Sequence, residues 1–265
     1  MLRRMALAVA LIAVANTAHA QGGINLAWND CITQPESWMI MNYACDGSRT
    51  GNPLRLIASF VAPDNLSQFY GIQMVLDVDR QFGTPSPGLA RSSGITPLPD
   101  WWRLGVGECR EGNLAFPASL TGIGTGTTGA CHNPWAGAFT GGYYQYTSSY
   151  NGDPTRARLL TELFRDTPTT LTSGQHYLSG AITLDTGTDL PSEGYPQCLG
   201  CCDFMVIHLQ QVELYQVAGQ AWPQPDIYIL STPDIRQYVT WQEAGPCQQT
   251  PARRTSWGRI KTTYR

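Results

Sequence analysis

The chain has 265 residues, of which only 14% are charged, and a formal net charge of −3 at pH 7. Glycine (27 residues) and proline (18 residues) are frequent, which excludes a coiled coil or a long helical bundle. The hydrophobic content of 42% is enough for a folded core and excludes a disordered chain. The acidic balance gives no electrostatic basis for gripping phosphates, so we expect no nucleic-acid partner.

Residues 1–20 have the three parts of a secretory signal peptide. Arg3 and Arg4 form its positive end, residues 5–15 are an unbroken apolar stretch, and residues 18–20 (Ala-His-Ala) are a small-x-small cleavage site. A bilayer span needs about 20 apolar residues, so a membrane anchor is the weaker interpretation. We therefore expect no membrane span and an exported protein, periplasmic, at the cell surface or extracellular, whose mature chain begins at Gln21.

All eight cysteines follow this segment, and in an oxidising compartment they indicate up to four disulfides. They are Cys31, Cys45, Cys109, Cys131, Cys198, Cys201, Cys202 and Cys247. Clustering along the sequence favours the pairs Cys31–Cys45 and Cys109–Cys131, each of which closes a loop. Adjacent cysteines rarely bond to each other, so one of Cys201 and Cys202 is expected to take Cys198 and the other Cys247.

Zinc is the alternative for the cluster Cys198-Leu-Gly-Cys201-Cys202, because a C-x-x-C pair is half of a zinc site. The second half is missing, since Cys247 is distant in sequence and His208 lies within an apolar, strand-like run. Structural disulfides are therefore the favoured interpretation.

Strand-like segments recur between glycine and proline residues along the chain. The clearest is 70–79, in which alternate apolar residues share one face: Ile72, Met74, Leu76 and Val78. Further strands are predicted at 54–61, 176–185, 204–217, 227–231 and 237–243. The length of 204–217 indicates a bulge or a crossing between sheets. Six or seven strands predict a mainly β fold, a two-sheet β-sandwich of the jelly-roll or immunoglobulin-like type.

One short α-helix is predicted within residues 153–168. Asp153 is a suitable N-cap and Pro154 suits the first helical position. Apolar residues then recur at helical spacing, namely Ala157, Leu160, Leu163 and Phe164. With one helix among many strands, we expect it to close one end of the sandwich.

No internal repeat or long linker divides the chain, so one domain is predicted. Residues 1–20 are the signal peptide, 21–245 a single β-sandwich domain, and 246–265 a basic, aromatic C-terminal tail. Segments 82–100 and 117–152 are predicted to be long loops, the second stapled by a disulfide. The role of the tail stays open between a sorting tag, a self-association strand and a docked end.

Aromatic residues in these segments are the strongest indication of binding. They are Trp101, Trp102, Trp135, Tyr143, Tyr144 and Tyr146, with Tyr150 nearby. Aromatic rings with polar tips suit both sugar rings and protein surfaces. The alternative is that these rings fill the core, which is favoured for the tryptophans and evenly balanced for the tyrosines.

Acidic residues offer two further candidate sites. Asp77 and Asp79 share one face of the predicted strand, about 7 Å apart, a separation that glycoside hydrolysis can use. A solvated rim is the simpler interpretation of this pair. Asp185 and Asp189 flank a glycine and are weak candidates for calcium ligands; no other cofactor is expected. The G-x-S-x-G, H-E-x-x-H and phosphate-loop patterns are all absent.

Four segments resemble a group of uncharacterised exported β-rich proteins of environmental bacteria. They are residues 24–31 (INLAWNDC), the Trp101-Trp102 pair, the C-x-G-C cluster at 198–201 and the C-terminal ending at 255–265. The resemblance covers most of the mature chain and implies export and one β-rich domain. It carries no known activity.

These observations together predict an exported, disulfide-stapled and non-catalytic module. Its role is structural, or it binds a glycan or protein through aromatic loops, with self-association as a further expectation. The alternative is a secreted hydrolase that acts on polysaccharide through paired carboxylates such as Asp77 and Asp79.

Overall fold

The computed structural model describes residues 23–31, 39–43, 45, 53–80, 97–117, 119–120, 123, 131–136, 139–186, 198–217, 227–230 and 237–243. These residues form eleven β-strands and two 3-10 turns, Asp100–Trp102 and Tyr150–Gly152. The signal segment and the C-terminal tail lie outside the described residues, so what was predicted for them stays a prediction. None of the described segments is a helix long and apolar enough to cross a membrane.

The smaller of two sheets has four antiparallel strands in the order β1-β3-β8-β5. They are β1 (Ile24–Trp28), β3 (Leu54–Val61), β5 (Leu114–Ala115) and β8 (His176–Leu184). The predicted strands at 54–61 and 176–185 correspond to β3 and β8 and are confirmed. β3 and β8 form the centre of this sheet, and nearly all their residues are buried.

The larger sheet has seven strands in the order β2-β11-β9-β4-β7-β6, with β10 also paired to β9. They are β2 (Ile40–Met41), β4 (Leu66–Asp79), β6 (Phe139–Ser148), β7 (Arg156–Leu171), β9 (Met205–Gln216), β10 (Ile227–Leu230) and β11 (Tyr238–Trp241). Four of them confirm predicted strands. The pairing of β4 with β9 shifts register beside Val75, so the bulge predicted for the long strand is present.

The two sheets pack face to face around one shared core. The predicted apolar face of β4 is confirmed, since each of its four residues is at most 3% exposed. Gly180 of β8 is the point of closest approach, because a Cβ at this position would collide with Leu163 of β7 and Met74 of β4. Trp28 of β1 also reaches across and donates its indole N–H to the carbonyl of Thr240, 3.1 Å away. The arrangement is a two-sheet, sandwich-like β fold.

The predicted helix within residues 153–168 is wrong, because this segment is part of the 16-residue strand β7. Burial alternates along it with a period of two, so Ala157, Leu159 and Leu163 face the core whereas Leu160 and Phe164 face outward. The helical spacing of the apolar residues therefore combined residues from both faces. No α-helix occurs in the part of the chain that the structure describes.

Two further expectations about this region change. Asp153 does not cap a helix; its Oδ1 accepts hydrogen bonds from the backbone N–H of Thr155, at 2.9 Å, and from the Thr155 hydroxyl, at 2.7 Å, in a turn before β7. Part of the predicted loop 117–152 is the edge strand β6, which pairs along the outer side of β7. Tyrosine, threonine and glycine in this strand resemble a loop by composition, yet strand pairing decides its conformation.

Disulfides are confirmed, but the predicted pairs are wrong. The observed pairs are Cys31–Cys131, Cys45–Cys201 and Cys109–Cys198. Cysteines that are neighbours in sequence do not pair, because the strands between them carry the chain across the fold. Cys202 is disulfide-bonded as well, and Cys247 lies outside the described residues, so its predicted partner stays a prediction. With Cys198 and Cys201 oxidised, the disulfide interpretation of this cluster holds over the zinc one.

Candidate functional site

Trp101 and Trp102 lie in the core rather than on an exposed loop. They are 2% and 3% exposed, and both belong to the 3-10 turn after Pro99. Each ring packs edge-on against Trp241, with centroids 5.7 Å and 5.4 Å away. The guanidinium of buried Arg110 covers the Trp101 ring. This is what the core-filling interpretation predicts, and neither ring has a face left for a ligand.

Trp135, Tyr144 and Tyr146 also point inward. Trp135 is 1% exposed and donates its indole N–H to two backbone carbonyls of β8, each at 3.1 Å. The Tyr144 hydroxyl donates to a carbonyl of β5 at 2.6 Å, and the Tyr146 hydroxyl donates to the carbonyl of Trp102. Burial, reinforced by the Glu108 carboxylate, raises the pKa of Tyr146. The polar groups of these three rings therefore bond to the backbone of the protein itself and do not face a ligand.

Tyr143 is the one member of the predicted set that points outward, and 54% of it is exposed. It lies opposite Glu162 of β7, which pairs with Gln73 of β4, which in turn pairs with Glu213 of β9. Directly paired residues in antiparallel strands share a face of the sheet. These four side chains therefore form one polar row across the outer face of the larger sheet.

Three aromatic rings lie beside this row, from three adjacent strands. Tyr70 (β4), Phe164 (β7) and Tyr215 (β9) are each partly exposed. Phe164 and Tyr215 are nearly parallel, at 12°, with centroids 6.1 Å apart. Tyr70 lies 6.4 Å from the first and 6.2 Å from the second. We name the set Tyr70, Gln73, Tyr143, Glu162, Phe164 and Tyr215 the outer aromatic site.

Gly71 allows the rings to meet. It pairs with Phe164 on one side and with Tyr215 on the other, so both side chains rise beside it from the same face. A Cβ at Gly71 would lie 2.8 Å from Cδ1 of Phe164, closer than carbon atoms pack without displacement. Glycine in the middle strand is therefore a condition of this arrangement.

Hydrogen bonds hold the polar part of the outer aromatic site. The Gln73 amide donates to Oε1 of Glu162 at 2.9 Å and to the Tyr215 hydroxyl at 3.0 Å. The Tyr215 hydroxyl also lies 3.5 Å from the same Glu162 oxygen. Among the described residues, the second Glu162 oxygen and the Gln73 carbonyl have no hydrogen-bond partner. The site therefore presents two acceptors beside partly exposed rings.

Asp77 and Asp79 are not the solvated rim that the sequence indicated, since they are 1% and 5% exposed. Arg158 binds Asp77 through both oxygens, at 2.7 Å and 2.9 Å, and Arg156 adds a contact at 3.1 Å. Arg156 also forms an ion pair with Asp79 at 3.1 Å. The correction has a simple cause, because two arginines on the neighbouring strand neutralise the acids and permit their burial.

The neighbours of Asp77 complete a charged network. Arg158 donates to the Tyr150 hydroxyl at 2.7 Å and stacks over that ring, and its hydrogen bond to Asp77 raises the pKa of the guanidinium. His208 pairs with Asp77 across β9, and desolvation by burial lowers the pKa of the imidazole. Asp77 thus accepts hydrogen bonds from two guanidiniums beside a histidine whose pKa is lowered, an environment unlike that of a catalytic acid.

Candidate metal ligands lie elsewhere. Asp185 is an exposed residue whose backbone N–H and carbonyl bond to Asn113 and Arg110, while Asp189 lies outside the described residues, so the calcium pair stays a prediction. Among the described residues, the only cluster of metal-ligating side chains is Cys31, Cys131 and His176. No sequence pattern indicated this cluster, because the three residues are far apart along the chain.

Sequence reasoning missed most of the outer aromatic site. Interpreting β7 as a helix concealed that Glu162 and Phe164 share a face. Gln73 and Tyr215 lay in predicted strands, but neither was predicted to bind a ligand. In β7, as in β4, inward and outward residues alternate with a period of two. Applying this pattern to β7 would have placed Glu162 and Phe164 together on the outer face.

No protein-family model and no curated protein matches the chain.

Proposed function

We propose that the protein is an exported, non-catalytic binding module that takes a carbohydrate on the outer aromatic site. One observation carries the proposal: three partly exposed rings stand beside two oxygens, one of Glu162 and one of Gln73, that have no hydrogen-bond partner among the described residues. Apolar faces of sugar rings pack on aromatic side chains, and sugar hydroxyls donate to amide and carboxylate oxygens.

The charge of the site narrows the ligand class. The charged side chains of the polar row are Glu162, which belongs to the site, and Glu213, which is buried beside it, and both are acidic. An acidic sugar would meet repulsion there, whereas the hydroxyls of a neutral glycan would find acceptors. Placement on paired strands keeps the rings in position before binding, which lowers the entropic cost of association. We therefore propose a neutral oligosaccharide as the ligand.

Two features support the location and the absence of catalysis in this proposal. Disulfides between distant segments fit an oxidising compartment outside the cytoplasm. Asp77, the acid first considered for hydrolysis, has both oxygens occupied by arginines. A carboxylate held in this way is a poor nucleophile or proton donor, because neither oxygen is free to reach a substrate.

Calorimetric titration of the oxidised protein with neutral hexasaccharides of glucose, xylose, mannose and N-acetylglucosamine tests this proposal. Reducing ends are measured in the same samples. We expect saturable binding to at least one of them without product. Binding to none of the four would contradict the proposal, and release of reducing sugar would favour a hydrolase.

Variants locate the binding. Phe164→Ala and Tyr215→Ala each remove a ring and should weaken binding about tenfold, which corresponds to about 1.4 kcal/mol. Tyr144→Phe is the matched control, because it alters an aromatic residue on the opposite face of the same sheet. Thermal unfolding checks that each variant folds. Equal affinity in all variants would show that the ligand binds elsewhere.

A further inference from the structure

Cys31, Cys131 and His176 bring their side chains together in one cluster. Sγ of Cys131 lies 3.5 Å from Nδ1 and 3.6 Å from Nε2 of His176. The ligand atoms of all three residues lie within 4.8 Å of one another. Cys31 and Cys131 are 1% and 4% exposed, whereas His176 is partly exposed and connects the cluster to solvent.

The fold fixes each member of the cluster. Cys31 follows β1, and His176 is the first residue of β8. The segment after Cys131 is tied to β8, because His132 donates its N–H to the carbonyl of His176 and accepts from the N–H of Leu178. Backbone bonds of this kind persist when a side-chain disulfide opens. Cys131 and His176 are therefore held near each other by more than the disulfide itself.

Ser59 orients the imidazole. Its Oγ lies 2.8 Å from Nε2 of His176, and both ring nitrogens lie 3.5–3.6 Å from the Cys131 sulfur. When Nε2–H donates to the serine oxygen, Nδ1 is the ring nitrogen that carries a lone pair for a metal. Metal-binding histidines typically have such a hydrogen-bond partner on the other ring nitrogen, which fixes the tautomer and the ring orientation.

We propose that Cys31, Cys131 and His176 form a redox-gated zinc site, closed while the disulfide is intact and able to bind one Zn²⁺ after a dithiol reductant has opened it. In a tetrahedral zinc site, with bonds of about 2.3 Å to sulfur and about 2.0 Å to nitrogen, the sulfur–nitrogen distance is about 3.5 Å. The Cys131–His176 separation already has this value. The sulfurs need only separate from about 2.0 Å to about 3.8 Å.

The chemistry balances with the dithiol as the reductant. Two electrons and two protons pass from the dithiol to the Cys31–Cys131 disulfide, which gives two thiols and the oxidised reductant. Zn²⁺ then displaces the two thiol protons, which go to solvent, and binds the neutral imidazole at Nδ1. A water molecule fills the fourth position. A small-molecule disulfide then reoxidises the two thiolates: it takes up their two electrons and becomes two thiolates itself, the Cys31–Cys131 bond forms again, and the ion is released.

Cobalt(II) is the probe, because it can replace zinc and absorbs visible light when it is bound by thiolates in a tetrahedral site. The full chain is titrated with Co²⁺ under argon, oxidised and after reduction with a phosphine reductant. We expect one equivalent to bind to the reduced protein only, with thiolate charge-transfer absorption and release of about two protons at a pH below the thiol pKa. Near-UV circular dichroism follows the buried tryptophans in the same samples.

Variants assign the ligands. His176→Asn should weaken Co²⁺ binding at least tenfold, and Ser59→Ala should weaken it about tenfold by releasing the imidazole. The matched control is Cys109→Ser with Cys198→Ser, which removes a different disulfide and should retain the full signal. If reduction unfolds the protein, we expect Co²⁺ to restore the tryptophan signal in the wild type and not in His176→Asn. If Co²⁺ does not bind the reduced protein, or binds His176→Asn as tightly as the wild type, the proposal is overturned.

Discussion

A single carboxylate, Asp77, shows how a residue that alternation assigns to the solvent side becomes buried. It faces outward from the larger sheet, yet it is 1% exposed. Arg158 supplies a bidentate pair, the geometry in which guanidinium binds carboxylate most strongly. Such pairs contribute more to the uniqueness of a fold than to its net stability, because the cost of desolvation offsets much of the attraction.

Removing one partner should still be costly. Asp77→Asn leaves the Arg158 guanidinium without the charge that compensates its partial burial, and Arg156 keeps only its ion pair with Asp79. We expect the free energy of unfolding to fall by about 2–3 kcal/mol, somewhat below the range for fully buried pairs because both arginines are partly exposed. Urea denaturation measures the change.

Asp100→Asn is the control for this substitution. Its ion pair with Arg103 is exposed on both sides, at 44% and 45%, so its loss should cost less than about 1 kcal/mol. Similar losses in the two variants would mean that burial of Asp77 does not determine the strength of its interaction.

At the scale of elements, β7 is the strand on which the outer aromatic site most depends. Its inward residues pack on β8, where Gly180 leaves room for Leu163. Its outward residues, among them Glu162 and Phe164, contribute to the outer aromatic site. A helix would have placed Leu160, Leu163 and Phe164 on one face, so the two interpretations make opposite claims about Leu160.

Substitution at these two leucines separates the claims. Leu163→Ala should lower the free energy of unfolding by about 2–5 kcal/mol, because the buried side chain leaves a cavity between the sheets. Leu160→Ala removes a partly exposed side chain on the other face and should cost less than about 1.5 kcal/mol. Equal and large decreases in the free energy of unfolding at both positions would contradict the assignment of β7 as a strand.

Strands with clean alternation were predictable, and elements without it were not. β4 and β9 carry continuous apolar patterning, so both strands were predicted, together with the buried face of β4, although β4 begins four residues earlier than the predicted strand. β1 and β6 lacked that signal: β1 is buried throughout, and β6 is an edge strand rich in polar and glycine residues. For the same reason Tyr143 was the one predicted binding residue that lies in the outer aromatic site. The jelly-roll or immunoglobulin-like subtype stays a prediction.

At the scale of the whole molecule, the disulfides connect segments that are distant in sequence. Cys45–Cys201 spans 156 residues and ties the segment after β2 to the segment before β9. These pairs form between cysteines that the strands bring close together in space. The spacing of the cysteines along the sequence does not indicate which cysteines these are. Their contribution to stability therefore comes mainly from restricting the unfolded chain.

Replacement of Cys45 and Cys201 by alanine together tests this contribution. Alanine keeps the carbonyl of residue 201, which accepts the Trp241 indole N–H at 2.6 Å, so the folded state changes little. We expect the free energy of unfolding to fall by about 2–5 kcal/mol. The denaturant dependence of that free energy should rise because the unfolded chain exposes more surface.

Near-UV circular dichroism should match the wild type, which confirms that the native packing survives. An unchanged unfolding midpoint would contradict a stabilising role for this bond, and a lost tryptophan signal would mean that it shapes the folded state instead.

The interleaved cysteine order also bears on biogenesis. Cys45 and Cys109 both lie between the partners Cys31 and Cys131, so no two successive cysteines among the six are native partners. A chain that oxidises in the order of its synthesis would join Cys31 to Cys45 first. The native bonds then form only by thiol–disulfide exchange, which takes seconds to hours depending on the oxidant and isomerase present. The yield of native protein therefore depends on the supply of a disulfide isomerase more than on the strength of the oxidant.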